Sequence, residues 1–388
     1  MTTRDDEETE GLLQRQGPAA SRCDSDCLEG PEGPPMKILG PEDDCSDVAW
    51  RVTGSCLGFL ASSYNVLAAD LVTSMMQNFH GDQVVSETSR HFLWGLQLGG
   101  LVLGMVGFGL ASDLVGRRWT SVVSASLLTL GALASVFVMP HLGSGHEASR
   151  LPWEFGLCRF AMFLGAGGEF PLALTVAADA ARGLESRGQL LALLASMYGL
   201  SMLLLGGVCF GALSLQLSHE SSWRLMLAAG ALPAWEAAFL RLRMETVENS
   251  GPYPDVAWRF EDMLGPRGAM ARGGRRPLWR QQLHQLGKAL QIYWPQLLGG
   301  MAVWLLTDAS LHRAASLRGH PLGDSLGYGA LTPEGKATMD AWFLIACGAI
   351  TTAGVAVAAL LVGRVGASSL QLYGFVAAAA AFFADAFS

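Results

Sequence analysis

Two stretches of the chain place acids where acids are costly. Residues 164–188 read LGAGGEFPLALTVAADAARGLESRG, with three glycines and one carboxylate, Glu169, inside an apolar run. Residues 293–312 read YWPQLLGGMAVWLLTDASLH, with Asp308 in the middle of a second apolar run. Burying such a charge unpaired costs several kcal/mol. An ionisable group inside a hydrocarbon-length segment is by default a functional group facing a wet cavity. Burial also favours the protonated form of a carboxyl, so the chemistry these positions suit is reversible proton binding. Trp304, Asp308 and His312 recur at i, i+4 and i+8, which stacks them along one side of a helix.

Other chemistries find little support. GAGGEF lacks the full GxGxxG spacing and sits in no strand–turn–helix context, so a dinucleotide loop is not expected. Cys23 and Cys27 have no second Cys/His pair at zinc spacing, and no metal site is expected. Cys56, Cys158, Cys209 and Cys347 read as small buried thiols. No nucleophile–base pair stands out, and neither an enzyme, a cofactor nor a nucleic-acid partner is expected.

The elements that must position these acids are long apolar helices. Of 388 residues, 51% are hydrophobic and 15% charged, with 47 glycines; an ordinary soluble domain has about 25% charged residues. Nine spans of roughly 20 residues or more, long enough to cross about 30 Å of hydrocarbon, fall at about 50–77, 91–112, 117–140, 153–180, 187–216, 222–242, 292–314, 338–362 and 368–387. The expected fold class is all-α, a polytopic membrane protein. Residues 1–47 form an acidic tail expected to be disordered, with no secretory signal pattern. Residues 48–243 form a six-helix bundle, 244–290 a linker, and 291–388 a partial second bundle of about three helices. Arg117, Arg118, Arg182, Arg187, the arginine-rich linker and Arg364 lie on one set of loops. That set is expected to be cytosolic, which puts the N-terminus inside. In the linker, Trp279, Leu283, Leu286 and Leu290 recur at helical spacing. The stretch suits an interfacial helix or a solvated one equally.

GLASDLVGRR, Gly109 to Arg118, closes the second span with an acid, a glycine three residues on, and basic residues. It resembles the loop signature of the major facilitator superfamily. LLVGRVGASS after the eighth span resembles a second copy, keeping Arg364 and Gly366 but with Gly363 where the acid would stand. Such duplication is expected of two-bundle transporters. CRFAMFLGAGGEFPLALTVAADAARGLESRGQ is similar to the fourth-span signature of the phosphate:proton symporter family. Arg159, Gly167, Gly168, Glu169, Pro171, Leu172, Arg187 and Gly188 match, and Asp179 takes the cytosolic acid's place. SSWRLMLAAGALPAWEAAFLRLRMETVE and the Asp308 stretch resemble that family's sixth and seventh spans. There are departures. Ser62 and Asn65 stand where the family's first span carries two acids, Tyr198 replaces a fifth-span glutamine, Phe170 a tyrosine, and His312 another tyrosine. The family has twelve spans and this chain stops at about the ninth.

The resemblance implies proton-coupled symport of inorganic phosphate by alternating access. Glu169 and Asp308 would be the proton-coupling groups. Trp304, Asp308, His312, Glu169, Phe170 and Tyr198 would line the substrate site, with the indole N–H and tyrosine hydroxyl as donors to an oxyanion. His312 would add a pH dependence. Asp113, Arg117, Arg118, Asp179 and Arg187 would form the cytosolic gate. Phosphate, protons and the bilayer are the expected partners. Two alternatives stay open: a transporter of a sugar or organic ion on the same fold, and a non-transporting sensor or degenerate homologue. The plasma membrane is the expected location. An acidic dileucine pattern, Glu8 with Leu12 and Leu13, keeps an acidic internal compartment open.

Overall fold

The structure is a computed structural model that describes residues 45–80, 87–115, 117–137, 151–180, 187–243, 287–288, 290–302, 323 and 325–387. It is helical, with no strand among the described residues. The helices are α1 (Cys45–His80), α2 (Glu87–Val115), α3 (Arg117–Phe137), α4 (Leu151–Ala180), α5 (Arg187–Ser214), α6 (His219–Arg243), α7 (Pro333–Val365) and α8 (Ala367–Phe387). Residues 290–302 are helical as well. Among the described residues, seven helices, α1 to α7, are long and apolar enough to cross a membrane.

These helices fall where the apolar spans were expected, and α8 falls on the ninth. The seventh expected span is described only through residue 302, so Trp304, Asp308 and His312 lie outside the described residues. The same holds for residues 1–44 of the tail and 244–286 of the linker.

Helix–helix contact is made through small residues, because apolar side chains gain nothing from leaving lipid and close backbone approach supplies the attraction. The glycines of the GAGGEF stretch serve this end. A Cβ on Gly165 would lie 2.5 Å from the backbone nitrogen of Leu128 on α3. One on Gly167 would overlap the carbonyl of Leu101 on α2. α4 is thereby pressed between α2 and α3 over the turns that carry Glu169. Pro171 lies inside α4 and cannot donate the i→i−4 bond, which leaves the Gly167 carbonyl without its helical donor.

The first bundle, α1 to α6, buries two apolar clusters. One gathers Ala61, Leu128, Met162, Phe163, Ala166 and Ala231 between α1, α3, α4 and α6. The other packs Tyr64, Met75, Leu205, Trp223 and Met226 against Ala337, Ala341 and Leu344 of α7. α5 packs along α7. Within that crossing, a Cβ on Gly348 would lie 2.8 Å from both the Gly199 carbonyl and the Leu203 nitrogen. α7 starts on an N-cap, Thr332, whose side chain accepts from the Gly335 N–H at 3.2 Å. It ends at Gly366, φ 83°, a backbone that favours glycine. This accounts for the glycine of the second loop copy.

Gly348→Val should force α5 and α7 apart and cost roughly 1–3 kcal/mol, the usual cost of overpacking. Gly354→Val, where a side chain meets nothing within 4 Å, should leave stability unchanged. Thermal melting of the two purified variants checks the contrast.

Candidate functional site

Glu169 is fully buried. Its Oε1 accepts from Arg241 Nη1 on α6 at 2.5 Å and from the Ser124 hydroxyl on α3. Its Oε2 has no hydrogen-bond partner among the described residues. Arg241, 1% exposed, also donates Nη1 to the Ser121 carbonyl at 3.1 Å and Nη2 to the Gly54 carbonyl at 3.5 Å. The fourth wall is Gly58 on α1: a Cβ there would overlap both Arg241 Nη2 and Glu169 Oε2. Four helices therefore meet at one ion pair.

The local reasons are legible. Gly54 and Gly58 lie one turn apart on α1, which puts them on one face. Ser121 and Ser124 do the same on α3. Arg241 stands in the last turn of α6, at the bundle end that also carries Arg117, Arg118 and Arg243, and its long stem reaches back into the interior. Arg241, Ser124 and Gly58 were not among the expected site residues. Arg241 was visible only as one of several basic residues closing a span.

Other expected residues sit apart from the pair. Phe170, next to Glu169, packs edge-on against Phe59 of α1 at 5.2 Å. Tyr198 is on α5, 36% exposed, beside Gly199 at the α5–α7 crossing. Ser62 and Asn65 are fully buried. Asn65 Nδ2 donates to the Ala61 and Gly230 carbonyls at 2.8 and 2.9 Å, tying α1 to α6. Arg159, near the opposite end of α4, is buried with its guanidinium 4.7 Å from the centre of the Phe155 ring. Its Nη1 donates to the Met162 sulfur at 3.6 Å.

Of the expected gate, Arg118 Nη2 donates to the Leu242 carbonyl at 2.6 Å. A cation there satisfies a terminal carbonyl of α6 and suits the negative end of the helix dipole. Arg117 begins α3, Asp113 lies in α2, Asp179 in α4 and Arg187 at the start of α5. The side chains of Asp113, Asp179 and Arg187 lie outside what is described. A cavity of about 440 Å³ opens between Ala192, Ala358, Val362, Leu370 and Gln371. Its lining holds no charged group and does not suit an anion.

A sequence model of the Major Facilitator Superfamily matches residues 53–387. Inorganic phosphate transporter PT2 of Toxoplasma gondii is 25% identical over 337 residues, covering 84% of this chain and 53% of that protein. Low affinity inorganic phosphate transporter 8 of Medicago truncatula is 23% identical over 294 residues, 66% of this chain and 51% of that one. Glycerophosphoinositol permease 1 of Candida albicans is 26% identical over 218 residues, 54% of this chain and 35% of that one. The chain spans about half or less of the length of these relatives. Among solved structures, a D-xylose-proton symporter superposes with a TM-score of 0.54 at 16% identity, over 81% of this chain and 68% of its own. A double-tryptophan variant of the xylose transporter XylE gives 0.54 at 18%, over 82% and 69%. At that identity the likeness speaks for the fold.

Glu169→Gln leaves Arg241 buried without a counter-charge and should destabilise the protein by roughly 3–5 kcal/mol. Ser124→Ala removes one hydrogen bond to a charged group, worth roughly 1.5–3 kcal/mol. Thermal melts of both variants should rank the glutamine substitution as the more damaging.

Proposed function

This chain belongs to the major facilitator superfamily, and on that premise we propose that it takes part in proton-coupled symport of inorganic phosphate across a membrane. The observation that carries the reading is the carboxyl of Glu169, kept in the interior of the first bundle within a stretch that resembles the phosphate:proton symporters. Similarity to inorganic phosphate transporters of a plant and a protozoan supports it.

In this reading the carboxyls of Glu169 and Asp308 carry protons. Protonated, a carboxyl donates a hydrogen bond to a phosphate oxygen or withdraws its repulsion from the anion. Deprotonated, it favours release. Trp304, Tyr198 and His312 supply N–H and O–H donors, with Phe170 closing the site beside them. Asp113, Arg117, Arg118, Asp179 and Arg187 close the cytosolic end. Surface ion pairs are individually worth about 0–1 kcal/mol, weak enough to open in each cycle. The N-terminus is cytosolic and the plasma membrane is the site of action. A second reading, transport of a larger phosphate-bearing solute, is favoured by the similarity to a glycerophosphoinositol permease and by Ser62, Asn65, Tyr198 and His312.

Radiolabelled phosphate uptake in a transport-deficient host, at two external pH values, tests the proposal. Uptake should rise at the lower pH and be displaced by unlabelled phosphate but not by glycerophosphoinositol. Asp308→Asn should reduce gradient-driven uptake per folded transporter at least tenfold, equivalent to about 1.4 kcal/mol in a limiting step. Normal uptake by that variant would remove Asp308 from proton coupling.

A further inference from the structure

Two arginines meet at the rim where α3 starts and α6 ends. Arg118 Nη2 donates to the Leu242 carbonyl at 2.6 Å and so bridges the seam between the two helices. Its guanidinium carbon lies 5.7 Å from the centre of the Trp119 ring. Arg243, exposed at the last position of α6, holds its guanidinium carbon 4.4 Å from the centre of the Phe239 ring. Among the described residues neither guanidinium forms an ion pair. The opposite end of α6 differs, because there Glu220 neutralises Arg224.

Away from this rim both helices keep an apolar row outward. Trp119, Val123 and Leu130 are exposed on α3, and Leu232, Trp235 and Phe239 on α6. Steps of three, four and seven residues set each row along one side of its helix. Glu236 is also exposed on α6. It stands two turns before Arg243, roughly 10 Å deeper at 1.5 Å per residue, and leaves the rim itself positive. An apolar row suits acyl chains, and an indole suits the level of lipid headgroups. A guanidinium matches the geometry of a phosphate and stacks on an aromatic face. A zwitterionic headgroup brings its own cation to two unpaired arginines, whereas an anionic one brings only the charge they lack.

We propose that the seam between α3 and α6 binds an anionic phospholipid, its headgroup phosphate on Arg118 and Arg243 and its acyl chains along Trp119, Val123, Trp235 and Phe239. The lipid ties α3 to α6 at the point where Arg118 already joins them. This inference needs only that the chain spans a membrane, and it is independent of the solute transported.

The test places the full chain in phosphatidylcholine vesicles that carry a minor fraction of brominated phosphatidylglycerol or, in parallel, of brominated phosphatidylcholine. Bromine quenches indole fluorescence on contact, and the Trp119 component is the difference between wild type and Trp119→Phe. Brominated phosphatidylglycerol should associate with Trp119 more strongly than brominated phosphatidylcholine by roughly fivefold or more, the effect expected of at least one basic residue at a membrane surface. Arg118→Gln/Arg243→Gln should remove that preference. Arg243→Gln alone, which keeps the Arg118 tie between the helices, should lower it in protein of unchanged helix packing. Arg224→Gln, at the other end of α6, should leave it intact. Equal quenching by the two lipids in the wild type would overturn the proposal, as would a preference that survives in Arg243→Gln at full strength. Inorganic phosphate that abolishes the preference where chloride of the same ionic strength does not would assign the arginines to the free anion and overturn the lipid site.

Discussion

A charge inside a bundle of apolar helices must find its partner within the bundle, and here that partner is fixed. The Glu169–Arg241 pair is closed on four sides: carbonyls of Gly54 and Ser121, the hydroxyl of Ser124, and the open face of Gly58. Attraction between such groups is large in low dielectric, but the cost of drying them is of the same order. The pair's importance therefore lies less in added stability than in selection. Apolar helices slide past one another with little preference. The observed register of α1, α3, α4 and α6 brings these polar groups together. The glycines of α4 follow from the same demand, because α2 and α3 must approach α4 closely enough to exclude water from the pair.

The contact between α1 to α6 and α7 is of another kind. It is a glycine-lined crossing of α5 and α7 joined to an apolar cluster. An ion pair across it, His219 with Glu334 at 4.0 Å, is solvent-exposed on both sides. Exposed pairs are worth about 0–1 kcal/mol. Within α1 to α6 the polar anchor is the buried pair, whereas the crossing to α7 is made by glycines and apolar side chains.

Most of the fold was legible in the sequence because spanning a membrane demands long uninterrupted apolar runs, and α1 to α6 coincide with such runs. Glu169 was legible as an anomaly within one of them. Its partner was not. Arg241 stands two residues from the end of α6, where an arginine ordinarily marks the cytosolic boundary, and nothing in local spacing says that its side chain turns inward. Ser124 and Gly58 were silent for a related reason: a serine and a glycine in apolar helices are common packing residues, and their meaning appears only when four helices converge. The expectation that Glu169 sits beside a substrate came from the family resemblance. The structure adds what that resemblance did not supply, a guanidinium at hydrogen-bond distance and one oxygen with no donor among the described residues.

The central proposal is that proton binding at a buried carboxyl and phosphate binding favour each other. Infrared difference spectroscopy reads this at the carboxyl itself, comparing phosphate-loaded with phosphate-free protein at one fixed pH. The proposal predicts that phosphate binding raises the carbonyl-stretch signal of a protonated carboxyl in the wild-type protein. The absence of any such signal in the wild-type protein would contradict it.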